Sequence, residues 1–243
     1  MAIKKYTYVG RGKILMGLVG AAIRDIGVFE DLKVALEEET HELENFETIA
    51  GGVVESVSWI KKAKVSFTLH ELTRDNLALA SLGMASAVPQ GATTNETHKA
   101  WKDSYIPLNH IKPTVTSVKV GGADKAAGTD YIVNSMGLYI PAGSSIDDGE
   151  EITVGYSYPA QEVVEAMTAT NKVYTIIFQG ANLAQDGRAR IVHMYKVKLS
   201  PASELALVTK DIGKLPMIGV LLADDSQPQG KSQYFKEMLE SAA

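Results

Sequence analysis

Apolar and polar residues alternate cleanly over Lys61 to Leu69, where Ala63, Val65, Phe67 and Leu69 oppose Lys62, Lys64, Ser66 and Thr68. Successive side chains of a strand point to opposite faces, so the pattern predicts a half-buried β-strand. Arg188 to Leu199 repeats it, with Ala189, Ile191, His193, Tyr195, Val197 and Leu199 on the more apolar face. Val-Tyr-Thr-Ile-Ile-Phe, between Lys172 and Gln179, is apolar on both sides and predicts a strand covered on both faces. Leu215 to Leu222 is another apolar run of strand length. Ile14 to Ile23, interrupted by Gly17 and Gly20, is too short to span a bilayer and predicts a buried strand followed by a loop.

One segment has the marks of a helix. Thr73 is placed to cap a turn starting at Arg74, Leu77 to Leu82 is rich in helix formers, and Gly83 sits where a C′ glycine belongs. Glu30 to Glu47 fits two patterns. Phe29, Leu32, Leu36, Leu43 and Phe46 share a helical stripe, whereas Val28, Leu32, Val34 and Leu36 share a strand face. Periodicity alone slightly favours the helix.

Ala85 to Lys99 is polar, contains Pro89 and Gly91, and reads as a linker. Short β-prone pieces then follow: Thr114 to Val120, Tyr131 to Val133, Gly137 to Ile140 and Ile152 to Tyr158, separated by turns at Gly121-Gly122 and Asp148-Gly149. This is enough for a small β-sandwich at residues 91–161, inserted into a β-rich parent formed by residues 1–90 and 162–243. The expected fold class is therefore mainly β with one flanking helix.

Composition narrows the chemistry. The absence of Cys excludes disulfides, thiolate zinc sites and a cysteine nucleophile. A net charge of −5 offers no overall basic footprint for gripping nucleic acid. His41, His70, His98, His110 and His193 are dispersed; His70-Glu71 begins like a zinc-protease helix but has Arg74 where the second ligand belongs. His193 reads as a hydrogen-bonded core histidine. Gly10-Arg11-Gly12-Lys13 resembles a phosphate loop, lacks its spacing, and reads as a tight turn entering a strand. Asp147-Asp148 and Asp224-Asp225 neighbour turn-forming residues. No catalytic constellation emerges, and no cofactor or metal is expected.

Charge is uneven along the chain. Glu30 to Glu47 holds eight acids (Glu30, Asp31, Glu37, Glu38, Glu39, Glu42, Glu44, Glu47) against Lys33, a local charge of −7. The remainder of the chain therefore sums to about +2. A solvated surface is the ordinary meaning of such a run. Many copies in a ring would turn it into a negative annulus.

The order of these segments resembles the major tail tube proteins of bacteriophages. The similarity runs through Gly10-Arg11-Gly12-Lys13-Ile14-Leu15, Asp25-Ile26-Gly27-Val28-Phe29-Glu30 with the acids after Leu36, Gly51-Gly52, Lys61 to Leu69, and Asn76 to Gly83. It continues through Gly128-Thr129-Asp130-Tyr131, Gly137-Leu138-Tyr139-Ile140, Asp148-Gly149, Val154-Gly155-Tyr156, Phe178 to Asn182, Tyr195 to Ala202 and Gly219 to Asp224. The resemblance covers nearly the whole chain and rests on order and spacing, since no single piece is diagnostic. It implies a tail-tube β-sandwich or barrel with a flanking helix and an inserted Ig-like module, outside the tube. It further implies that the subunit is no enzyme and forms hexameric rings stacking into a virion tail tube, assembled in the host cytoplasm.

On that resemblance the acidic segment becomes an extended strand or hairpin, and some of Glu37, Glu38, Glu39, Glu42 and Glu44 face the lumen. Double-stranded DNA and the tape-measure protein would pass without specific binding; tail terminator and tail tip proteins would cap the tube, with no membrane insertion by this chain. Ala2 to Val9 and Tyr234 to Ala243 would serve as contact arms. Two alternatives share features of the chain. One is the tube of a contractile injection or secretion machine. The other is a carbohydrate-binding β-sandwich using Trp101, Tyr105, Tyr139, Tyr156 and Tyr158.

Overall fold

The structure, a computed structural model, describes residues 7–46 and 51–241. The protein is mainly β, built from antiparallel sheets of which none closes, with one α-helix among the described residues. In chain order the elements are β1 (Gly10–Leu18), β2 (Arg24–Asp25), β3 (Phe29–Glu44), β4 (Val53–Leu69), α1 (Arg74–Ala80), β5 (Met84–Val88), β6 (Gly91–Lys99), β7 (Ser104–Pro107) and β8 (Thr114–Val120). They continue with β9 (Ala123–Asp124), β10 (Ile132–Val133), β11 (Gly137–Ile140), β12 (Glu151–Tyr158), β13 (Gln161–Glu165), β14 (Tyr174–Asn182), β15 (Arg188–Leu199), β16 (Leu215–Leu222) and β17 (Phe235–Leu239).

The chain divides into two compact units, residues 1–84 with 164–243 and residues 85–163. It crosses between them in β5 and β13, which pair with each other.

In the first unit one sheet runs β2-β1-β14-β15-β16-β4-β3, with β17 added to the first half of β15. Its core gathers Ile14 and Met16 from β1, Val65, Phe67 and Leu69 from β4, Ile176 from β14, Met194, Val197 and Leu199 from β15, and Leu215, Met217 and Leu221 from β16. Each such side chain contributes about 1.5–3 kcal/mol by leaving water. Leu79 and Ala80 add the buried side of α1. Thr73 Oγ1 accepts the Asn76 N–H at 3.3 Å and starts this helix. Its end departs from expectation: Leu82, not Gly83, takes the left-handed conformation (φ 49°), and the Gly83 N–H closes on the Ala78 carbonyl at 2.7 Å. Gly83 is needed for another reason, because a Cβ there would stand 2.4 Å from the Glu165 carbonyl oxygen.

Two other expectations change. Residues 10–13 form no turn; they pair with Gln179 to Asn182 as the start of β1, and a Cβ at Gly12 would strike the Gln179 carbonyl at 2.4 Å. Alternation in β15 breaks where Tyr195 and Lys196 together oppose Thr175. Val197 and Leu199 face the core beyond that bulge, Met194 faces it before, and His193 falls on the other side, edge-on to the Tyr195 ring. Burial lowers the His193 pKa there. The C-terminal stretch is no free arm through Leu239, since it pairs with β15 of its own chain. Ala2 to Tyr6, expected to begin the N-terminal arm, and Glu47 of the acidic run lie outside the described residues.

In the second unit the sheet β6-β12-β8-β9 and the sheet β10-β11-β7 share one core, centred on Ile106, Val118, Leu138, Ile140, Ile152, Val154 and Tyr156. The stretch read as a linker is in fact β5 and β6: Thr93, Glu96 and Thr97 of β6 pair along β12, and β5 pairs with β13. Glu96 anchors this unit. One carboxylate oxygen accepts the Asn109 N–H at 2.9 Å and meets His98 Nε2 at 2.7 Å, and the other accepts the Tyr156 hydroxyl. His110 adds a contact to that hydroxyl at 2.9 Å and stacks on Tyr158 with centroids 3.6 Å apart.

Burial pushes the Glu96 carboxyl up, but the bonds from Tyr156, His98 and Asn109 outweigh it and hold the pKa below the ordinary value. A carboxylate depressed in this way stabilises the fold above its unfolded pKa and loses that contribution as pH falls through the folded one. The second unit should therefore weaken in acid, below about pH 4. Glu96→Ala should cost it about 2–4 kcal/mol at neutral pH by leaving buried donors unpaired. Hydrogen exchange resolved by segment checks this: amides of β8 and β12 should lose protection while those of β4 and β15 keep theirs.

Candidate functional site: a projecting acidic hairpin

β3 and β4 pair antiparallel from Phe29–Leu69 out to Glu44–Val53. Burial does not follow them. On β4 every second residue from Ala63 to Leu69 is in the core, whereas Val53 to Lys62 are all exposed. The acidic segment is thus the outer half of a two-stranded arm, projecting about 25–30 Å at 3.3 Å per residue. The helical reading of residues 30–47 is overturned for residues 30–44.

The misleading periodicity has a local cause. Asp31 adopts a left-handed conformation (φ 58°) and adds one residue to β3, so that Asp31 and Leu32 together oppose Phe67. Apolar residues at 29, 32, 34 and 36 then all turn toward one side, a spacing that imitates a helix.

Directly opposed residues share a face, which sorts the five acids expected to line a channel into two sets. Glu38, Glu42 and Glu44 lie with Thr40 on one face, opposite Ile60, Ser56, Val53 and Ser58. Thr40 and Ser58 hydroxyls hydrogen-bond at 2.9 Å across this face. None of these three acids has an ion-pair partner among the described residues. Glu37 and Glu39 occupy the opposite face and are neutralised: Glu37 pairs with Lys64, and Glu39 with Lys61 at 3.1 Å. The Lys64 ammonium holds the Glu37 carboxyl below the usual range. His41 and Trp59 stack on that same face, centroids 5.0 Å apart, beside Val57 and Leu43.

Glu30 and Asp31, the other described acids of the run, are also compensated. Glu30 meets Lys214 at 2.7 Å and His70 at 3.3 Å, and Asp31 meets Lys33 at 3.2 Å. The uncompensated acids of the run are therefore concentrated on one face of the outer arm. Thr40, Ser56 and Ser58 complete that face and carried no sequence signal by themselves. Alternation of Ser56 and Ser58 with Val57 and Trp59 groups them, but carried strictly upstream it puts them on the face of Lys62 and Lys64; the register shift at Lys61 moves them to the face of Glu38 and Glu42.

Elsewhere, the candidate motifs are structural. Asp224 is held by Gln227, Lys196 and Ser226, whose hydrogen bonds lower its pKa strongly. Asp148 accepts the Lys102 N–H at 2.6 Å, fixing a turn. Glu71 accepts the Val28 N–H at 3.0 Å. Among the described residues no group of three or more acids and histidines is placed to hold a metal. No helix there is long and apolar enough to cross a membrane.

A family model described as "protein of unknown function UCP028589" matches residues 7–237, nearly the whole chain, and the chain belongs to that family. No curated protein matches it.

Asp31 sets which way the arm's faces turn, and its conformation dictates what can replace it. Asp31→Gly should leave stability unchanged or slightly raised, whereas Asp31→Val should cost about 1–2 kcal/mol, the penalty of a left-handed non-glycine residue. Urea denaturation of the two variants measures the difference.

Proposed function

We propose that the chain is the major tail tube subunit of a tailed bacteriophage. Six copies form a ring, rings stack into a tube, and DNA and the tape-measure protein traverse its lumen without specific binding. The observation that carries this reading is the arm: two long strands with water on both faces, with the three unpaired acids beside Val53 and Ile60 on one face and Leu43, Val57 and Trp59 in the open on the other. A monomeric protein seldom leaves so much apolar surface together on one element. Neighbouring copies would cover it, and pooled arms would form a wall.

The whole-chain resemblance to tail tube proteins supports the same reading. In it the first unit is the tube β-sandwich or barrel, and the second is an Ig-like module on the exterior. Glu38, Glu42 and Glu44 are the lumen-facing acids, with Thr40, Ser56 and Ser58 beside them. Phosphates passing such a wall meet repulsion and find no binding wells, within a screening length of about 10 Å at 0.1 M salt. Glu37 and Glu39, already paired with lysines, belong to the packed side.

Negative-stain microscopy of the purified protein should show rings or tubes with a central hole. A particle that stays monomeric at high concentration would sink the assignment. Phage carrying Glu38→Lys, Glu42→Lys and Glu44→Lys together should assemble tails but eject DNA slowly; a barrier raised by only about 1.4 kcal/mol slows ejection about tenfold. Normal ejection kinetics in a single-particle assay would remove these three residues from the lumen.

A further inference from the structure

The first unit keeps an open seam. Between the Gly10–Lys13 edge of β1 and the Phe29–Leu36 edge of β3 lies a groove of about 1130 Å³. Its floor is formed by Phe178, Val192, Met194 and Phe235, with the Arg190–Glu237 ion pair beside them, and Phe29 meets Phe178 edge-to-face with centroids 6.5 Å apart. Both walls are strand edges. Among the described residues β3 pairs only with β4, and residues 10–13 of β1 pair only with β14. An extended segment laid in this groove would gain backbone partners on two sides and cover the floor.

The same chain carries a segment of that kind without a place of its own. Between β15 and β16, Glu204-Leu205-Ala206-Leu207-Val208-Thr209 belongs to no element. Leu207 is 88% and Val208 95% exposed. The connection is fixed at its ends, where the Ala202 N–H donates to the Ala80 carbonyl at 2.7 Å and Lys214 pairs with Glu30. Six extended residues span about 20 Å, comparable to the stretch of β3 that walls the groove. The rim carries both signs, Lys13 and Lys33 beside Asp31, which suits a segment bracketed by Glu204 and Lys210.

From this juxtaposition we infer that Glu204–Thr209 of one copy inserts as a strand into the β1–β3 groove of the next. The inference rests on the tube reading and deepens it by naming the contact between subunits. Donor segment and acceptor groove are different patches present once per chain, so the contact is head-to-tail and propagates from copy to copy. Insertion into its own groove is not what the chain does in this structure, since Leu207 and Val208 stand in solvent.

The absence of cysteine makes the test clean. Full-length protein carrying Leu207→Cys and Val34→Cys should, on mild oxidation, give a ladder extending past the dimer on a non-reducing gel. Either single variant should give none. A disulfide confined within one chain, or no disulfide in assembled material, overturns the inference. Leu207→Asp with Val208→Asp should keep the wild-type melting temperature and lose rings and tubes. If that variant assembles as the wild type does, the groove contact is wrong while the tube reading stands. If wild-type protein never assembles, both fall.

Discussion

Backbone pairing between β3 and β4 continues well beyond the point where side-chain burial ends. Hydrogen bonding to a partner strand satisfies one edge of each strand, but in water it adds little net stability without a covered face. The inner half of the hairpin has such a face, through Val65, Phe67 and Leu69. The outer half has none, yet its two strands stay paired through two register shifts, at Glu37/Glu38 and Leu43/Glu44. The features on which the tube proposal draws follow from this disparity: an acidic face free of lysine, exposed aromatic and aliphatic groups, and a strand edge that has no neighbour among the described residues.

Much of the first unit was legible because its strands obey simple alternation. Lys61 to Leu69 and Leu215 to Leu222 appear as β4 and β16, and Thr73 caps α1 as its position suggests. What escaped the pattern was set by bulges. Asp31 shifts β3 by one residue and made a strand look helical; Tyr195 and Lys196 shift β15 and moved His193 off the core face. A bulge inserts a residue without leaving a compositional mark, and a one-residue slip exchanges the faces beyond it. The candidate acids were located by composition, but their division into paired and unpaired sets required the opposite strand. Lys61 and Lys64 neutralise Glu39 and Glu37 across a ladder that no local window contains.

Glu96 shows the complementary limit. It sits in a polar run that reads as a linker, yet it satisfies a tyrosine, a histidine and a backbone amide inside the second unit. Polar residues at the buried positions of a strand look like loop when counted alone, because their partners come from β12 and from the turn at Asn109. Such a network fixes how the strands meet; an apolar substitute would bury as much surface while specifying less.

β5 and β13 lie side by side, so the chain leaves the first unit and returns to it at adjacent strands. Whatever folds between them imposes almost the same closure entropy on the parent, since that cost grows only slowly with length. The second unit is in this sense a cassette. A domain of another length between the same two strands would leave the pairing of the sheet that carries the hairpin unaltered.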